Sequence, residues 1–437
     1  MQNFIAALQS YQRQLVDSPI RSVLCPKHDM PPLTLSSLSK GDHFRLPGGY
    51  MDKKNFRQGP ETAEIQTRFE VWHDESCLHI HVVCDEPDPE NIHAAIKSPG
   101  GSVWLDDCIE IFLDPDHGHE HYSHFLVNSL GVLTAFKQGG QFAGLTGTQW
   151  RPNVDISAAV RKSDWHCDLS IPFKELGRTC PLQGETWGLN ITRKRRAGKR
   201  TYESCWCPTL TDISLHVSSR FGDMIFGDVG IGIESVHIGT ANLSFRSPDW
   251  ARGNHVLWGT NRCRIKTHPV GFSGTCKWKC SVLDHKDKII NTFSKTHVPD
   301  QDSQAAFNIH LNDSGALKLQ IEAFDSTDKR LFTARYPIVV LEPVSIFVGN
   351  VFHDLATINC CMSKPEQKKL SLHSAIISDN NVKKPINSAE KPCINNASIK
   401  LPLTDLPSGS YLISASLETG KGKAAVAIEK EAILGKS

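Results

Sequence analysis

Trp104-Leu105-Asp106-Asp107-Cys108-Ile109-Glu110-Ile111-Phe112-Leu113-Asp114 reads as an acidic turn running into a strand. Its apolar-rich end, Ile109 to Leu113, has the length and β-branched content of a strand. An indole beside carboxylates suits a polyhydroxylated ligand: the ring stacks on the ligand's apolar face and the carboxylates accept hydrogen bonds from its hydroxyls.

Comparable segments lie on both sides. Upstream, Phe69-Glu70-Val71-Trp72-His73-Asp74-Glu75-Ser76-Cys77-Leu78-His79-Ile80-His81-Val82 predicts a strand, a tight acidic turn and a returning strand. Downstream follow Phe125-Leu126-Val127-Asn128 with Gly131, and Trp165 leading to Ile171-Pro172-Phe173. Next come Trp187-Gly188-Leu189-Asn190-Ile191-Thr192-Arg193, then Ser204-Cys205-Trp206-Cys207-Pro208 and Phe221-Gly222-Asp223. Almost every periodic segment is short and alternates with period two, with Gly, Pro, Asn and Asp between them, the pattern of β-sandwiches. The exceptions are a helical pattern over Met1 to Asp17 and a short turn at Phe173–Leu176.

This ordered series resembles the family 9 carbohydrate-binding modules, over roughly residues 60–229 with a looser N-terminal lead-in. The resemblance implies a β-sandwich that binds a polysaccharide or oligosaccharide without cleaving it, as the accessory part of a polysaccharide-degrading system. It implies that Trp104 forms one wall of a sugar site and that Glu110 bonds sugar hydroxyls. Asn128 would do the same, and Thr192 or Arg193 would line the same surface. Two departures accompany it. The best-known sugar binders carry an Arg two residues before the Asn of Phe-x-Val-Asn, where this chain has Leu126. They also carry a second Trp shortly before the Phe-Gly pair, where this chain reads Ser214-Leu215-His216-Val217-Ser218. Half of an aromatic clamp and a cationic donor are therefore missing, and a preference for glucan chain ends is not expected. Relatives bind calcium structurally. In the acidic loop Asp85-Glu86-Pro87-Asp88-Pro89-Glu90-Asn91, Asp85 at a strand end is the candidate ligand; the loop reads equally as a charged turn.

After residue 230 a faint repeat appears. Leu283 aligns with Ile377, Ile309 with Leu403 and Gly315 with Gly409, an offset of 94 each time. That length fits two consecutive immunoglobulin-like sandwiches. The expected architecture is all-β, with domains at 1–229, 230–341 and 342–437.

Composition bounds the function. The 437 residues are 39% hydrophobic and 22% charged, with a net charge of +1, so the chain is globular. That balance argues against bulk nucleic-acid or anionic-membrane binding, and no apolar run approaches bilayer length. The N-terminus lacks the basic start and small-residue cleavage site of a signal peptide. The family resemblance suggests a secreted or cell-envelope protein, whereas the scattered use of fourteen cysteines in strand-like runs suits a reducing compartment.

Other clusters have competing readings. The run Arg193-Lys194-Arg195-Arg196 with Lys199-Arg200 is a solvated loop or a platform for sulfated or uronic-acid polymers. His117, His119 and His121 would share one strand face and could hold a transition metal. Asp106, Asp107 and Glu110 are carboxylates of the kind that hydrolyse glycosides, although neighbouring residues on a strand face opposite ways. A haem-binding sandwich would need inward-facing His79 or His81. A purely structural or assembly role is the remaining alternative.

Overall fold

The computed structural model describes residues 20–28, 36–37, 43–44, 63–119, 121–139, 147–197, 202–209, 215–239, 241–243, 254–297, 304–348, 355–363, 370–378, 385–393, 396–403, 406–419 and 424–434. The helix expected over Met1 to Asp17 lies outside them, as do Lys199, Arg200 and Ser214. Among the described residues the regular elements are strands and four short 3-10 helices, and no helix is long and apolar enough to cross a membrane.

The first unit is a sandwich of two sheets. Its larger sheet runs in the order Ser22–Cys25, Gly222–Phe226, Thr186–Arg195, Cys108–Asp114, His121–Asn128, Leu133–Gly139 and Thr148–Trp150. The strand Thr186–Arg195 is long enough to pair twice along one edge. Its first half meets Gly222–Phe226 and its second half meets Tyr202–Cys205. The smaller sheet runs Asp155–Val160, Asp164–Pro172, Cys77–Asp85, Thr67–His73 and Ser36–Ser37. The turn expected between its two central strands forms as read: the Asp74 carboxylate accepts from the backbone amides of Ser76 and Cys77 at 2.6 and 2.8 Å.

Alternation decides which side chains meet between the sheets. Ile109, Ile111, Leu113, Phe125, Val127, Leu189 and Ile191 from the larger sheet pack against Leu78, Ile80, Val82, Trp165, Leu169 and Ile171 from the smaller one. The outward positions of the smaller sheet carry His79 and His81. His79 bonds Asp74 and Ser170 at 3.0 and 2.9 Å, and His81 bonds Asp168 at 2.6 Å. Both imidazoles therefore lie on the face opposite the core, which removes the geometry an internal haem would need.

At one end of the core the chain buries charge. Glu86, just past the strand Cys77–Asp85, is fully buried. Arg193 Nη2 donates to its Oε2 at 3.0 Å, and Arg195 donates to both of its oxygens at 2.8 and 2.6 Å. Arg193 Nη1 also donates to the Asp85 carbonyl at 2.8 Å, so the cluster ties the two sheets together. Removing one member of a buried, hydrogen-bonded ion cluster strands the others in low dielectric.

The rest of the chain forms two further, immunoglobulin-like sandwiches whose strand pairings repeat. Gly259–Val270 pairs Gln304–Leu311 in the second unit, and Leu355–Cys361 pairs Asn396–Pro402 in the third. The sheet Ile289–His297, Cys276–Leu283, Gly315–Phe324, Arg330–Leu341 likewise has the counterpart Pro385–Cys393, Leu370–Ser378, Gly409–Thr419, Ala424–Leu434. Arg178 and Asp116, His117 and Asp223, and a bridge between Glu185 and Thr333 add local ties within the first unit or from it to the second.

All fourteen cysteines are free thiols, and most are buried within strands. Cys205 and Cys207 flank the buried Trp206, whose ring meets Phe69 edge-on at 5.3 Å.

Glu86→Ala is expected to lower unfolding free energy by about 3–5 kcal/mol in urea titration, because two guanidinium groups lose their shared carboxylate. A loss under ~1 kcal/mol would mean that the cluster contributes no net stability.

Candidate functional site

The outer face of the larger sheet is not apolar. The positions that alternate with the core residues carry Glu110 and Phe112 on one strand, Tyr122, His124, Leu126 and Asn128 on the next, and Asn190, Thr192 and Lys194 on the other side. Strand register sets Glu110 between Leu126 and Thr192.

The aromatic side chains of this face form a row. Trp104, on the 3-10 helix Val103–Leu105, lies 6.2 Å from Phe136, and Phe136 lies 6.2 Å from His124. His124 stacks on Phe112 at 4.3 Å and 10°. His216 closes the row, edge-on to Phe112 at 5.3 Å and perpendicular to His124 at 4.9 Å. Trp104 is 37% exposed, so its ring is presented to solvent rather than enclosed in the core. Arg196 Nη2 donates to the Trp104 carbonyl at 2.8 Å and holds the helical turn in place. His216 occupies the region where the family pattern would place a second Trp, with the Tyr122 hydroxyl 2.8 Å from its Nδ1.

Beneath this row lies a charged cluster. Glu110 is 2% exposed. Its Oε2 accepts from His124 Nε2 at 2.7 Å, and its Oε1 lies 3.2 Å from Lys194 Nζ, which also lies 3.4 Å from Glu203. Burial pushes the Glu110 carboxyl up, but Lys194 and the His124 hydrogen bond outweigh it and hold the group well below the usual carboxylate range. Lys194 is held correspondingly high by its two carboxylates, against its own burial. Burial, reinforced by His124 and Lys194 and opposed by Glu110, pushes His216 down to about 4. The cation beside Glu110 is Lys194, on the strand opposite Leu126. Leu126 itself packs into a small apolar cluster with Val103 and Cys108, next to Ile96 and Phe136.

Of the residues expected to touch a ligand, Trp104, Glu110 and Thr192 share this face, and two do not act as expected. Arg193 points into the interior, where it bonds Glu86 and the Asp85 carbonyl; strand alternation puts it opposite Thr192. With Arg195 spent on the same carboxylate, the basic run offers no free platform from these two side chains. Asn128 is fully buried. Its amide donates to the Ile96 carbonyl and Asp106, and its Oδ1 accepts from the amides of Leu130 and Val132. Its hydrogen bonding is used in closing the turn after its own strand, which leaves nothing for a sugar hydroxyl.

Asp85 departs from expectation as well. Its carboxylate takes Arg68 Nη2 at 2.5 Å, so it forms an ion pair where a calcium ligand was expected. Asp106 and Asp107 are fully buried and hold loops. Asp106 accepts from the amides of Ala95 and Ile96, and Asp107 from those of His93 and Arg196. Neither is poised as an acid or a base. The His-rich loop is not one metal cluster: His117 bonds Asp223 at 2.8 Å, His119 bonds the Ser218 carbonyl at 2.9 Å, and His121 is exposed. His117 and His119 both have positive φ, 47° and 58°, so the extended chain that would align them is absent.

Sequence reasoning did not assign Lys194 or His124 to this face. Parity along the strands would have found both, since Lys194 is two residues from Thr192 and His124 four from Asn128.

Residues 50–227 match the family model for carbohydrate family 9 binding domain-like proteins. This stretch is a family 9 carbohydrate-binding-like domain. An inferred carbohydrate-binding protein from Bacteroides uniformis is 16% identical over 47% of this chain and 99% of its own, with a TM-score of 0.37. Family 9 modules from Caldicellulosiruptor kristjanssonii, solved with glucose and with cellotriose, are each 12% identical over 47% of this chain. They are covered over 95% and 94% of their own lengths, with TM-scores of 0.31. No curated protein matches the chain in sequence.

The low value for His216 has a direct consequence for stability. The unfolded imidazole titrates near ~6.5 and the folded one near about 4, so between these values the unfolded state binds the extra proton. Stability is therefore lost as pH falls from ~6.5 toward about 4. Between pH 7 and pH 5, urea titrations of the native protein should lose about 1–2 kcal/mol more than those of His216→Gln. Parallel losses in the two proteins would show that His216 is not held neutral by its surroundings.

Proposed function

We propose that this protein binds carbohydrate non-catalytically through the outer face of the larger sheet in its family 9-like domain, as an accessory to a polysaccharide-degrading system. The observation that carries this reading is the placement of Trp104. A large ring, 37% exposed, stands at the end of an aromatic row inside a domain that matches a carbohydrate-binding family over residues 50–227. An indole so placed offers a flat apolar surface to the C–H face of a pyranose.

Polar groups beside the row supply the complement. Thr192 Oγ1 and His124 Nδ1 are buried without a hydrogen-bond partner, and both belong to the same cluster as Glu110. Lys194, ion-paired to Glu110 and partly exposed, is a cationic donor on this face. Glu110 serves chiefly to fix Lys194 and His124, since it is enclosed by both.

The ligand differs from a glucan chain end on this reading. A second indole is replaced by His216, a smaller ring whose Nδ1 is already engaged by Tyr122. An anionic polymer is less favoured than the sequence suggested, because Arg193 and Arg195 are spent on Glu86. The two immunoglobulin-like units fit a spacer that carries the binding face away from a partner.

Screening the full chain on an array of neutral, uronic and sulfated glycans identifies the ligand. Trp104→Ala should then reduce retention about tenfold or more, the loss expected when ~1.5 kcal/mol of ring contact disappears. Its circular dichroism should remain that of the native protein. Undiminished retention by the folded variant would remove Trp104 from the binding surface and with it this assignment.

A further inference from the structure

Three side chains on the outer face bring ligand atoms together in a way that sugar binding does not require. Glu110, His124 and His216 each offer one ligating atom, and all of these atoms lie within 4.8 Å of one another. They come from three separate places in the chain: two adjacent strands, Cys108–Asp114 and His121–Asn128, and the segment before Phe221. No spacing motif joins them.

We infer that Glu110, His124 and His216 form a binding site for a divalent transition metal of the zinc class. Two imidazoles and one carboxylate are a donor set that zinc accepts, with the fourth position left for water or a ligand oxygen.

The surroundings support the metal chemically. Glu110 Oε2 already faces His124 Nε2 at 2.7 Å, so a metal would enter between them with His124 as the neutral Nδ1–H tautomer, its Nε2 lone pair and the carboxylate oxygen both turned to the ion. Lys194 on the other carboxylate oxygen keeps Glu110 ionised and orients it, as outer-shell partners of metal-bound carboxylates do. Tyr122 Oη, 2.8 Å from His216 Nδ1, can accept that N–H, which fixes the tautomer with its lone pair on Nε2. The Phe112 ring stacked on His124 limits rotation of that imidazole.

This inference shares side chains with the proposed glycan face but does not rest on it, because Trp104 lies at the far end of the row and is not a ligand. The test uses the full chain, stripped with chelator and titrated with zinc chloride by calorimetry, then loaded with cobalt(II) to read the ligand field. The native protein should take up one equivalent with a tetrahedral nitrogen–oxygen spectrum. His216→Ala and Glu110→Gln should bind about tenfold or more weakly. Trp104→Ala should bind zinc as the native protein does, even where it loses its glycan. Should His216→Ala fail to fold, His216→Gln replaces it. Absence of stoichiometric binding by the native protein would overturn the inference. So would equal affinity in the folded His216 variant, or a thiolate-type cobalt spectrum.

Discussion

The strand Thr186–Arg195 distributes charge to both faces of one sheet, and the rest of the first domain depends on that. Its last four residues are Thr192, Lys194 on one side and Arg193, Arg195 on the other. The inward pair shares the carboxylate of Glu86 from the neighbouring sheet, which fixes how the two sheets meet. Lys194, on the outward side, pairs with Glu110 and Glu203, which fixes the floor of the candidate site. Buried guanidinium and ammonium groups are tolerated only where a carboxylate and further hydrogen bonds accompany them. The acidic partners of this strand are therefore structural requirements before they are functional ones.

The candidate site differs from the family pattern that its sequence resembles. The position of the expected Arg holds Leu126, which joins an apolar cluster beneath Trp104. Positive charge next to Glu110 is supplied from the strand on its other side. His216 takes the region of the missing indole and brings an imidazole next to His124 and Glu110. In place of the paired indoles that the resemblance implies, the face carries one exposed indole, a lysine and a cluster of nitrogen and oxygen donors.

Several residues singled out by type rather than by position turned out to hold loops. Asp106, Asp107 and Asn128 cluster near the site, yet their polar atoms are spent on backbone amides and carbonyls. Short acidic and amide side chains at strand ends satisfy groups that the sheet ladder leaves open, and burial makes that role obligatory. They shape the turn that presents Trp104 without touching what Trp104 would bind. The acidic loop after Cys77–Asp85 behaves alike: Asp85 pairs with Arg68 and Glu86 with two arginines.

What the sequence determined by itself was the all-β architecture, the order of strands through the first sandwich and the 94-residue recurrence after it, because each is written in local period-two alternation between turn residues. It also placed Trp104 on an acidic turn, where a large ring next to Asp106 and Asp107 could not join a continuous apolar run. What only the tertiary structure decided was the facing of Arg193 against Lys194, the internal use of Asn128, and the meeting of Glu110, His124 and His216. In a run of polar residues no apolar neighbour marks which side is core, so alternation alone leaves the face of Arg193 undetermined. His216 reaches Glu110 from about a hundred positions along the chain, and such a contact exists only once the sheet has brought distant segments side by side.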